Sequence, residues 1–193
     1  MQVIQQSFSH SSSSFMIGKI QGNIVDFLYA PLSATEVSIS VALAAVTRSV
    51  SIATVSIIVF KLIIDIEITN YLLLIIFTLL SSFILGNIGI IAGLWAEKFD
   101  HMATVTNFVI VPLSFLSGTF YSIERLPEIL QIVSKANPFF YMIDGFRYSF
   151  IGQADGSITV GLVYLSILSL VSWFVTYLLY KNCLLYTSPS PRD

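Results

Sequence analysis

Four long apolar stretches divide the chain. Val37 to Ile64 is the first, broken only by Arg48 and Lys61, and Tyr71 to Ala96 is the second, uncharged until Glu97. Val105 to Phe120 is shorter and holds Pro112, and Ile158 to Tyr180 is a clean fourth. A helix needs about 20 mostly apolar residues to cross the hydrocarbon of a bilayer. The pattern therefore predicts four spans, at approximately 37–64, 71–96, 105–120 and 158–180. A proline inside such a span is tolerated, because neighbouring groups re-satisfy the carbonyl it frees.

The intervening segments are more varied. Residues 7–14, Ser-Phe-Ser-His-Ser-Ser-Ser-Ser, read either as a flexible linker or as the small-residue end of a helix. Ile17, Ile20, Ile24, Phe27 and Leu28 then recur at helical spacing, opposite Gly18, Lys19, Gln21, Asn23 and Asp26. This stretch is too short to span, so it is expected to form an amphipathic helix over 17–29 along the membrane surface, stopped by Pro31. Leu126, Ile129, Leu130 and Val133 form a second amphipathic face, with Pro127 suited to a first helical turn and Glu128 to the positive end of the dipole. Asn137-Pro138 ends that piece, and the aromatic-rich run from Phe139 to Phe150 follows. Aromatic density of this kind suits a membrane interface. Residues 121–151 are thus expected to be a helix-turn-helix that dips partway into the bilayer. From Cys183 the pattern breaks, and 183–193 reads as adapter-derived sequence or a disordered tail outside a membrane domain at 1–182.

Composition fits this picture. Hydrophobic residues make up 55% of the chain and charged ones 10%, against about 25% charged in a soluble domain. The excess apolar surface must face lipid. A net charge of -2 without a basic block argues against a nucleic-acid partner. The single cysteine, Cys183, excludes an intrachain disulfide and a cysteine-based zinc cluster. The opening residues lack a positive region followed by an apolar one, so no signal peptide is expected. His10 and His101 are too few and too scattered for a metal site, and the serines have no His/Asp partner within a span. No phosphate-cradling Gly-x-x-x-x-Gly-Lys-Ser/Thr loop occurs, so an energy source is expected on another subunit.

A few positions carry specific expectations. Gly86, Gly89 and Gly93 recur at spacings of 3 and 4, a small-residue pattern that lets helix backbones approach closely. Arg48 inside a span costs about 2.5–3.5 kcal/mol at the bilayer centre; snorkelling to the headgroups or a place on a substrate path are both open. Asp144 and Arg147, three apart, are placed to pair across a helix face. Lysine and arginine asymmetry does not set the orientation. Lys19, Lys98 and Lys181 fall on one side, against Lys61, Arg125, Lys135 and Arg147 on the other.

Two stretches carry a family resemblance. Gln21-Gly22-Asn23-Ile24-Val25-Asp26-Phe27-Leu28-Tyr29-Ala30-Pro31-Leu32-Ser33 resembles the cytoplasmic motif of ABC type-2 permeases, with Asn23 where threonine is usual. Val111-Pro112-Leu113-Ser114-Phe115-Leu116-Ser117-Gly118-Thr119-Phe120-Tyr121, with Leu126-Pro127, Asn137-Pro138 and Asp144-Gly145-Phe146-Arg147, resembles the same family's C-terminal signature. The resemblance implies an all-α polytopic transmembrane bundle with an interfacial cytoplasmic coupling helix and an outer-side re-entrant helical hairpin. It also implies that the four spans are the C-terminal part of a longer permease.

By the same resemblance the protein is a subunit of an ATP-driven exporter of a drug, lipid-linked glycan or polysaccharide, multi-pass in the inner (cytoplasmic) membrane. It is not itself an enzyme, and ATP and Mg are bound by a partner ABC ATPase rather than by any cofactor site in this chain. A second permease copy and membrane lipid complete the implied partners. The implied sites are Gly22, Asp26, Phe27, Leu28 and Pro31 for ATPase coupling, and Pro112, Gly118, Tyr121, Pro138, Asp144 and Arg147 for the re-entrant gate region. Gly86, Gly89 and Gly93 serve helix packing. A membrane scaffold assembled through those glycines, without transport, is the alternative from another class. An intramembrane enzyme is disfavoured by the lack of paired catalytic residues in the spans.

Overall fold

The computed structural model describes residues 2–22, 33–64, 68–96, 98–118 and 127–187. Within them the chain is an all-α polytopic bundle of seven helices. These are α1 (Gln2–Ile20), α2 (Ala34–Ile64), α3 (Tyr71–Trp95), α4 (Phe99–Leu116), α5 (Glu128–Ala136), α6 (Pro138–Ile151) and α7 (Ile158–Thr187). Four are long and apolar enough to cross a membrane: Ser38–Ile63 of α2, all of α3, all of α4, and Ile158–Lys181 of α7.

The helix at the centre is α3, which packs against α1, α2, α6 and α7. Of its most apolar stretch 61% is buried, against 17–22% for the other three candidate spans. A helix hydrophobic all round is either buried or lipid-facing, and here α3 is the first kind and α2, α4 and α7 largely the second. Ile4, Phe8 and Met16 of α1, Phe77, Ile84 and Leu85 of α3, Met142 of α6 and Leu165 of α7 form the shared core.

Local chemistry sets the ends of the helices. At α3 the side chain of Asn70 accepts from the Leu73 N–H at 3.1 Å, satisfying an otherwise orphan donor. At α2 the Ser33 hydroxyl accepts from Glu36 N–H (3.3 Å) while the Glu36 carboxylate accepts from Ser33 N–H (2.7 Å). This is a reciprocal capping box of the Ser-x-x-Glu pattern. The same pair holds the Glu36 carboxyl below its ordinary range, through the backbone and then the hydroxyl of Ser33. Asn137 caps α6 by accepting from Phe139 N–H, with Pro138 at the first position, and left-handed Gly152 (φ 75) ends it. Pro127 lies just ahead of α5 rather than in its first turn, since a proline can precede the helix without forfeiting a bond.

One open alternative is settled and two expectations need correction. Of the two readings of the serine-rich residues 7–14 the helical one holds: they lie within α1, and Ser7, Ser11 and Ser12 are buried. Serine is a poor helix former in isolation, but close packing decides here. The helix expected over 17–29 does not start as a separate element: residues 23–29 lie outside the described residues, and Ile17 and Ile20 belong to the last turn of α1, which ends before Gly22 at φ +75. That backbone region favours glycine and terminates helices. Finally, α7 continues to Thr187, past the pattern break at Cys183, because no proline stands before Pro189.

The third apolar stretch also shifts. It begins at Phe99 and its middle turn, Thr106–Ile110, is π-helical, with Val111 N–H bonded to Thr106 O. The wider turn sits immediately before Pro112, where a ring would otherwise crowd the preceding α-turn.

Candidate functional site

The glycines of α3 meet a helix of the same chain. A Cβ on Gly89 would lie 2.6 Å from Phe8 O and 2.9 Å from Ser11 Cβ; one on Gly93 would lie 3.0 Å from Ser12 O. One on Gly86 would lie 3.0 Å from Ala45 Cβ of α2. Small residues therefore line both sides of the α1–α3 seam, and the serines of α1 are what the glycines face. Such contact replaces the hydrophobic force that lipid cannot supply.

Beyond that seam, α1 ends in a clasp. The Lys19 ammonium donates to the carbonyls of Leu94 and Ala96 (2.9 Å to the latter), the unsatisfied C-terminal acceptors of α3. A cation is favoured there by the helix dipole. Gly22 follows at the surface, with nothing within 4 Å of the place a Cβ would occupy. Asp26, Phe27, Leu28 and Pro31, the other expected coupling residues, lie outside the described residues.

At the opposite end, α5 and α6 make a hairpin held to α4. Asn137 Nδ2 donates to Leu113 O at 2.7 Å and Ser134 Oγ to Leu116 O at 2.9 Å, so the hairpin satisfies carbonyls that the end of α4 leaves open. Arg147 donates to Gly118 O and, at 2.7 Å, to the Asp155 carboxylate. Its distance to Asp144 is 3.8 Å, so Asp155 and not the expected Asp144 is its closer partner. Asp144 instead accepts from the N–H groups of Asp155 (2.8 Å) and Gly156 (2.9 Å), fastening the loop before α7 onto α6. Burial pushes the Asp144 carboxyl above its ordinary range, against the opposing pull of those two N–H donors and then of Arg147.

The structure thus gathers Gly118, Asp144 and Arg147 into one cluster and adds Ser134, Asn137 and Asp155. Pro138 opens α6, Pro112 is exposed on α4, and Tyr121 lies outside the described residues. Ser134 and Asp155 gave no signal in the sequence, since each acts on a carbonyl or cation distant along the chain.

A third polar feature lies at the exposed face between α1 and α2. Arg48 Nη1 stands 3.1 Å from His10 Nδ1, and the hydroxyls of Ser7 and Ser49 are hydrogen-bonded beside it. Arg48 therefore turns toward α1 instead of running alone along the lipid face.

Comparison with known proteins gives a consistent result. Residues 1–151 match the family described as "ABC-2 type transporter". The "Inner membrane transport permease YadH" of Escherichia coli is 30% identical over 155 residues, covering 80% of this chain and 60% of that protein. "Nodulation protein J" of Rhizobium leguminosarum bv. viciae is 25% identical over 100 residues, covering 52% of this chain and 39% of that protein. The chain thus spans 60% or less of the length of these relatives. No solved structure matches it.

Proposed function

The chain belongs to the ABC-2 type transporter family, and we propose that it is the membrane-spanning part of an ATP-driven exporter in the inner membrane. The observation that carries this reading is the family match over residues 1–151 laid on a bundle with four membrane-crossing helices. The chain forms the path, and a partner ABC ATPase binds ATP and Mg and supplies the work. A second copy of the permease completes the transporter. The cargo class is a drug, a lipid-linked glycan or a polysaccharide.

In this reading the segment from Gly22 to Pro31 is the contact to the ATPase. What supports it is the rigidity of its two flanks. On one side Lys19 fastens α1 to the end of α3; on the other the Ser33–Glu36 capping box fixes the start of α2. A push on the segment reaches two packed helices through hydrogen-bonded joints instead of being lost in loose hinges. Movement of α4 then carries the hairpin with it, because Ser134, Asn137 and Arg147 hold the end of α4. Pro112, Gly118, Pro138, Asp144 and Arg147 make up the gate region on that far side.

The test is co-expression with an ABC ATPase encoded beside the permease. Co-purification and ATP-dependent efflux from inverted vesicles are expected. Replacing Asp26 with Lys should reduce both while leaving membrane insertion intact. Insertion with neither ATPase association nor efflux in the unmodified protein would leave the scaffold reading in its place.

A further inference from the structure

Where the hairpin meets the start of α7, a pocket of about 340 Å³ opens. Its lining includes Lys135 of α5, Phe140 and Tyr141 of α6, Asp155 of the following loop and Val160 in the first turn of α7. The membrane span of α7 begins at Ile158, so the pocket lies at the level where the hydrocarbon of a bilayer gives way to headgroups.

Two charges of opposite sign share this lining without pairing with each other. Asp155 is held by Arg147 at 2.7 Å. Lys135 is exposed at the end of α5, and its ammonium has no ion-pair or hydrogen-bond partner among the described residues. A simple anion would enter against Asp155, and a simple cation against Lys135. A group that bears both charges satisfies the two ends at once. A carboxylate, with about four lone-pair sites, can hold a guanidinium and a ligand ammonium together. The rings beside it are engaged with one another: Phe140 meets Tyr141 edge-on at 5.0 Å between centroids, and Tyr141 tilts against Tyr164 at 5.0 Å. The pocket thus offers an ammonium a hydrogen-bond acceptor and not an aromatic cage, which favours a primary ammonium over a quaternary one. Val160 also opens an apolar stripe. Val160, Val163, Ile167, Val171 and Phe174 are each 51–58% exposed and share one face of α7. The stripe runs about 21 Å along the helix, more than the roughly 15 Å of hydrocarbon in one leaflet.

We propose that this pocket binds the phosphoethanolamine head of a membrane phospholipid, with its phosphate at Lys135, its ammonium at Asp155 and an acyl chain along the stripe from Val160 to Phe174. Both polar contacts are then charge-assisted hydrogen bonds. The site rests on the pocket and on the span of α7, not on the ATPase or the cargo. Loss of ATP-dependent efflux would therefore leave it standing.

The test uses the purified chain in phosphatidylcholine nanodiscs that carry a trace of one lipid photoactivatable in its acyl chain: phosphatidylethanolamine, phosphatidylglycerol or phosphatidylcholine. Phosphatidylethanolamine is expected to label α7 between Val160 and Phe174 more strongly than the other two. Lys135→Gln should lower that labelling about fivefold, the scale of an exposed ion pair, and Lys135→Arg should retain most of it. Asp155→Asn should turn the preference toward phosphatidylglycerol, because it removes the acceptor for the ammonium and leaves Lys135 and Arg147 to an anion. A residue that only shaped the loop would weaken all three lipids alike. Equal labelling by the three lipids, or a preference for phosphatidylglycerol in the unmodified chain, would overturn the proposal. So would an Asp155→Asn variant that folds and still prefers phosphatidylethanolamine. Because Lys135 is exposed, Lys135→Gln decides the matter if Asp155→Asn does not fold: unchanged labelling at unchanged helicity sinks the site.

Discussion

Lys19 Nζ stands 2.9 Å from the carbonyl oxygen of Ala96, 77 positions farther along the chain. With a second bond to Leu94 O, it ties the last turn of α1 to the last turn of α3 and completes that helix's end. Replacing Lys19 with Met should strand both carbonyls at the negative pole of a helix. The expected loss is about 1–2 kcal/mol, read as a lower midpoint of thermal unfolding in detergent. Lys19→Arg should keep part of it. An unchanged midpoint in Lys19→Met would show that the clasp carries no stability.

The α1–α3 seam gives a graded test with an internal control. Even the single methyl of Gly89→Ala meets the Phe8 carbonyl at 2.6 Å, and overpacking of this kind costs about 1–3 kcal/mol. Gly89→Leu should be worse. At Gly18, inside α1, an added Cβ meets nothing within 4 Å. Gly18→Ala should therefore be neutral or gain up to about 1 kcal/mol from helix propensity. Equal effects at the two glycines would remove the packing argument.

Two carboxylates should shape the pH dependence of stability in opposite directions. The folded state raises the Asp144 carboxyl, so its protonated form is favoured in the fold. Stability from this group is therefore greatest below the ordinary aspartate range and falls as pH rises through the raised value. The folded state lowers Glu36, so its contribution is present above the ordinary glutamate range and is lost as pH falls through the lowered value. Unfolding midpoints against pH for wild type, Asp144→Asn and Glu36→Gln separate the two. Each variant should flatten its own limb, and a curve unchanged by Asp144→Asn would contradict the assignment.

Topology follows from the hairpin. Cysteines placed at Ser122 and Gln153 should react with a membrane-impermeant reagent from one side, and a cysteine at Lys98 from the other. Labelling of Ser122 and Gln153 from opposite sides would make the intervening segment a true span.

The sequence by itself determined where the chain meets lipid. Membrane crossing depends on local length and apolarity, so α2, α3 and α7 were legible from composition alone. The break between α5 and α6 was legible too, because Asn137-Pro138 acts on its own backbone within a few residues. What the tertiary structure decided is every relationship set by approach between distant helices. Gly86, Gly89 and Gly93 announced a close contact but not its partner, since a glycine specifies room and not what fills it. The serines of α1 read equally as a linker until α3 packed against them. Lys19 read as a surface charge, and Arg48 as a candidate for snorkelling, because neither Ala96 nor His10 is near them along the chain. A side chain's periodicity records which face it shares, whereas the group it bonds depends on which helix is brought to that face. In a bilayer, where apolar surface does not distinguish one neighbour from another, that choice falls to small-residue fit and hydrogen bonding, both of which exist only once the helices have met.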